Sequence, residues 1–154
     1  MRRIAIALAA CLMMPAGLVM SAGSSGADDA LMRKSGEWQV TVNRDDAGKG
    51  AAPQTRKICY GTDQPLGDYA TRGMKDCSRK DVVPSGKVLT ITAVCTFNGA
   101  PFTVQGTIAA TGKDAYHSEE HIHFDQPAEG MPADVAVKTD AKRLGACQPN
   151  EPAQ

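Results

Sequence analysis

All three histidines of the chain fall within one seven-residue stretch, His117-Ser118-Glu119-Glu120-His121-Ile122-His123. On an extended strand side chains alternate between faces, so His117, Glu119, His121 and His123 would project together, opposite Ile122 and Phe124. Histidines two residues apart on one face can share a metal ion, and imidazole with carboxylate suits Zn²⁺, Cu²⁺ or Ni²⁺. Glu119, or Asp140 on the next strand, would complete such a site. The same residues also describe an ordinary solvated strand face, on which Glu119 would pair with Lys138 or Lys142 of the neighbouring strand. Histidine protonation near the usual value of about 6.5 would add positive charge to that face.

Other chemistry is scarce. Glu119 and Glu120 point to opposite faces of any strand and cannot work as an acid and base on one substrate. No Gly-rich phosphate loop is present, since Gly99 and Gly112 read as turn residues. Cys59, Cys77, Cys95 and Cys147 contain no Cys-x-x-Cys pair, which argues against a thioredoxin-like or zinc-ribbon role. They are an even set best used in two disulfides, with three possible pairings. Local-loop economy favours Cys59 with Cys77 and Cys95 with Cys147. No nucleophile is then left for a Cys-His site, and nothing assembles a Ser-His-Asp one, so an enzyme is not expected.

The elements that would position these residues are strands. Residues 37–42 alternate, with Trp38, Val40 and Val42 facing a core, and residues 54–60 place Ile58 and Tyr60 inward. Residues 45–53 read as a mobile loop. Thr62 is expected to cap a short helix with Pro65 in its first turn, kept short by Gly67 and Gly73. Strands follow at residues 77–83 and 88–97, the latter with Leu89, Ile91, Ala93, Cys95 and Phe97 on one face. Asn98-Gly99 marks a tight reversal into residues 102–109, with Phe102, Val104 and Ile108 inward. Residues 115–124, with Tyr116, Ile122 and Phe124 inward, and residues 134–144 complete the series.

This pattern predicts an all-β domain, an antiparallel meander of about seven or eight strands forming a curved, barrel-like or sandwich sheet stapled by two disulfides. The small inward residues Ala93, Gly106 and Ala141, beside Ile91, Val104 and Val137, leave room in such an interior for a lipid or other apolar ligand.

The chain starts with Met1-Arg2-Arg3, continues almost wholly apolar over residues 4–20, and reaches small residues at Ser25-Gly26-Ala27, the order of a secretory signal. Residues 1–27 are therefore expected to be a signal peptide, cleaved before Asp28, and residues 28–154 a single exported, periplasmic domain. Ser21-Ala22-Gly23 is a weaker alternative cleavage site. Leu8-Ala9-Ala10-Cys11 spells a lipobox, but only about seven residues lead up to it and an apolar stretch continues after it, so Cys11 is expected to leave with the signal rather than carry lipid. No stretch reaches the roughly 20 apolar residues of a spanning helix. Loss of Arg2 and Arg3 leaves 15 basic against 17 acidic side chains, a formal charge of −2 that attracts no nucleic acid. A monomeric binding or structural module of the envelope, meeting a small ligand or an envelope protein, is the expectation.

Several of these residues carry a resemblance. Gly36-Glu37-Trp38-Gln39-Val40-Thr41, Cys59, Cys77, the Ser85-Gly86 turn leading to Cys95, and Lys142-Arg143-Leu144-Gly145-Ala146-Cys147 resemble the bacterial exported family called domain of unknown function 3617, over residues 34–148. The resemblance implies periplasmic residence and a β-rich fold, but no activity. The histidine strand departs from the alternating Thr/Met strand typical of that family, so any role it has is private to this chain.

Overall fold

The computed structural model describes residues 31–46 and 52–149. Ten elements follow one another: β1 (Met32–Arg33), β2 (Gly36–Asp46), β3 (Gln54–Tyr60), β4 (Gln64–Pro65), α1 (Leu66–Thr71), β5 (Cys77–Ser85), β6 (Val88–Phe97), β7 (Ala100–Ala110), β8 (Ala115–Phe124) and β9 (Asp134–Gly145). The expected signal peptide, its cleavage point, Cys11 and most of the predicted 45–53 loop lie outside the described residues.

Seven strands form one antiparallel sheet in the order β3-β2-β9-β8-β7-β6-β5, and β1 pairs with β4 in a small second sheet. Strands β5 to β9 are a simple meander. The β2–β3 hairpin docks against β9, so the connection from β3 must travel to the opposite edge before β5 begins. That connection carries β4 and α1, and Leu66 of α1 is buried in the main core. Strands β3 and β5 are edges and do not pair, so the sheet stays open rather than closing as a barrel.

Alternation decides which side chains enter the core. Trp38 and Val40 of β2, Ile58 and Tyr60 of β3, Leu89, Ile91, Ala93 and Cys95 of β6, Val104 and Ile108 of β7, Tyr116 of β8 and Ala141 of β9 are all buried, as the period-two pattern predicts. They share what we call the inner face, the side covered by α1 and the β1–β4 pair. The Asn98-Gly99 reversal forms as expected, with φ of 51° and 82°, the positive values that a two-residue hairpin turn requires at both central positions. Helix α1 differs from the expected capping. Pro65 rather than Thr62 is its N-cap, and no side chain caps it, because residues 64 and 65 are held in strand pairing with Arg33 and Met32.

The disulfides join Cys59 to Cys147 and Cys77 to Cys95, which corrects the pairing expected from loop economy. Cys77 and Cys95 are direct cross-strand partners of β5 and β6. Cys59 pairs in register with Glu37, whose other neighbour is Gly145, two residues before Cys147. The favoured Cys59–Cys77 link would have had to connect opposite edges of the sheet. Loop economy failed because the first hairpin packs against the last strand.

Candidate functional site

The outer face of β8 carries the histidines. His117, Glu119, His121 and His123 do share a face, and in register they lie opposite Asp140, Lys138, Ala136 and Asp134 of β9. The strand spreads them out rather than gathering them. His117 Nδ1 lies 2.8 Å from Asp140 Oδ1, and its Nε2 lies 3.5 Å from Glu119 Oε1. Glu119 also takes an ion pair from Lys138 at 3.0 Å, the cross-strand contact that the solvated-face reading foresees. At the other end His123 Nδ1 lies 2.7 Å from Asp134 Oδ1, with Asp125 3.8 Å from Nε2. The hydrogen bond donated to Asp140 raises the pKa of His117, and that donated to Asp134 raises the pKa of His123. The hydrogen bond from Lys138 lowers that of Glu119. His121 stands exposed between these two pairs. Among the described residues no group of three or more His, Cys, Asp or Glu is placed to hold a metal ion.

The inner face has two ends of different character. Beneath α1, Trp38 is 1% exposed, its indole N–H donates to the Lys34 carbonyl at 2.8 Å, and its ring centroid lies 5.7 Å from that of Tyr116. Arg33 is equally buried. Its guanidinium carbon sits 3.4 Å from the Tyr60 ring centroid and 4.3 Å from that of Tyr69, and Nη2 donates to Gln64 at 2.9 Å. Such stacking compensates part of the cost of burying a cation. Burial lowers the pKa of Arg33 and raises those of Tyr60 and Tyr116.

At the far end no described element lies over the sheet. An apolar cleft of about 310 Å³ is lined by Arg44, Phe97, Phe102, Ile122, Phe124, Met131, Val135 and Val137. Phe97 is 63% and Met131 42% exposed, and the Phe102 and Phe124 rings lie 5.7 Å apart across β7 and β8. Every strand from β6 to β9 contributes to it, and the loop before β9 supplies Met131. Among the described residues nothing polar lines this cleft except Arg44, which is held by Asp46.

The sequence placed room for a ligand beside Ala93, Gly106 and Ala141. Ala93 and Ala141 are instead closely packed, and the space at Gly106 is taken by Glu120, so the open volume lies further along the same face. Glu120, set on the inner face by the same alternation that turns Glu119 outward, was given no role there. Its position two residues from Ile122 and four from Tyr116 carried that signal.

No helix among the described residues is long and apolar enough to cross a membrane. No curated protein and no solved structure matches the chain. A family model matches residues 33–147, from β1 to the second half of the Cys59–Cys147 disulfide, and on that match the chain belongs to the family described as Protein of unknown function (DUF3617).

Proposed function

We propose that the protein is an exported binding module of the bacterial envelope that holds a small apolar ligand in the cleft between Phe97 and Met131. The observation that carries this reading is the cleft itself: about 310 Å³, lined by three phenylalanines, Met131 and branched aliphatic side chains, and open to solvent. Small-molecule sites have this size and make-up, and apolar surface left exposed in a small domain marks a place where something binds. Export is supported by the basic, apolar and small-residue order of residues 1–27 and by a fold that uses all four remaining cysteines in disulfides.

Organic extraction of protein recovered from the periplasm under native conditions tests the reading. A recurring apolar compound, lost from a Phe97→Ser, Met131→Ser double variant that still folds, is the expected result. A clean extract from protein that also fails to bind added octanol would sink it.

A further inference from the structure

Between the covered and open ends of the inner face lies a carboxylate that the core does not use. Side chains of β8 enter this face in the order Tyr116, Ser118, Glu120, Ile122, Phe124. Their neighbours on β9 are Ala141, Thr139, Val137 and Val135 for the first four, and those of Glu120 and Ile122 on β7 are Gly106 and Val104. Glu120 is thus half-buried, with the apolar Ile122 and Val137 on one side and Ser118 and Thr139 on the other. No ion pair or hydrogen bond joins its carboxylate to any described residue, and burial raises its pKa.

The sheet makes room for it. A Cβ on Gly106 would lie 2.8 Å from Glu120 Cγ and 2.7 Å from the Glu119 carbonyl, so only glycine fits opposite this side chain. Glu120 also lines a second cavity, of about 260 Å³, with Ser118, Thr139, Tyr69 and, across β2 and β9, Arg56. Ile122 and Val137, its neighbours along and across the strand, line the apolar cleft. Two residues along a strand span about 7 Å, so a molecule seated in the cleft can reach Glu120 with one end.

Resting on the cleft reading above, we propose that Glu120 recognises a cationic head, and that the ligand is an amphiphile with an apolar body in the cleft and a protonated amine against this carboxylate. A half-buried carboxylate on an apolar face is unfavourable, and an ammonium group brought to it by the apolar body relieves that cost on binding.

The test is titration calorimetry of the exported protein with octylamine, octanol and octanoate. Octylamine is expected to bind about tenfold more tightly than octanol, and octanoate more weakly than either. Glu120→Gln should bring octylamine level with octanol while leaving octanol binding as it was. Glu120→Asp, which keeps the charge, should retain a preference for the amine. Glu119→Gln, altered on the opposite face, should keep the full preference and so exclude a general effect of net charge. Equal binding of all three compounds, or an amine preference that survives Glu120→Gln, would overturn the role of Glu120 and leave the cleft standing. Failure of octanol itself to bind would remove the cleft and this inference together.

Discussion

The two ends of the inner face are built from the same strands and differ in what lies over them. At one end the β3-to-β5 connection lays α1 and β4, paired with β1, across the sheet, and Trp38, Tyr60, Leu66, Ile108 and Tyr116 form a continuous buried cluster. At the other, the smaller cluster of Ala93, Cys95 and Val104 is flanked by Phe102 and Ile122 and then gives way to exposed Phe97 and Met131. Each end has its own staple, with Cys59–Cys147 beside Tyr60 and Cys77–Cys95 beside Phe102. The difference teaches that the apolar face is longer than the element that covers it. Burial at the covered end provides stability, whereas the open end leaves Phe97 and Met131 exposed.

The largest effects should come from the staples. In the loop-entropy description, replacing Cys59 and Cys147 with serine, which opens a span of 88 residues, costs about 5 kcal/mol. The 18-residue span of Cys77–Cys95 gives about 3 kcal/mol. Urea unfolding of the two double variants should rank in that order, and only the second should also weaken octanol binding.

Trp38→Ala is expected to cost about 3–5 kcal/mol, whereas Phe97→Ala should cost about 0.5 kcal/mol or less and yet reduce octanol affinity. Comparable losses of stability at the two positions would show that the open end is ordinary core. Gly106→Ala should fall between them, at roughly 1–3 kcal/mol, because the new methyl must displace the Glu119 carbonyl or Glu120. Unchanged stability in that variant would mean that the fit at Gly106 is slack.

The smallest effect concerns the outer face. His117 and His123 have raised pKa values in the folded state, so protonation favours folding. Their contribution is complete below about pH 6.5 and is lost as pH rises through the raised folded values. Both side chains are substantially exposed, and the loss is correspondingly slight. Thermal midpoints measured from pH 5.5 to pH 8.5 should fall a little more steeply for the native chain than for a His117→Ala, His123→Ala variant; parallel curves would remove the histidine pairs from the account.

How much of this was legible in the sequence follows from what each feature depends on. Strand faces were legible because alternation is local: Trp38 and Val40, or Leu89 and Ile91, announce their side within a few residues. The Asn98-Gly99 turn was legible for the same reason. The disulfide pairing was not, because it depends on β9 returning to β2, a contact across most of the chain. The histidine strand drew attention by composition, yet its side chains pair with Asp140 and Asp134 in two separate places. Glu120 was overlooked beside Glu119, although the period of two set it with Tyr116 and Ile122. The open cleft could not be read locally either. Phe97 carries the same inward pattern as Leu89 yet is exposed, because no described element reaches over it.

The central claim is that an apolar molecule binds at the uncovered end of the inner face and leaves the covered end untouched. Methyl-detected NMR during an octanol titration tests it most directly. The account predicts saturable shifts at Met131, Ile122, Val135 and Val137, with Leu66, Ile58 and Leu89 unmoved. Absence of saturable shifts, or shifts concentrated beneath α1, would contradict it.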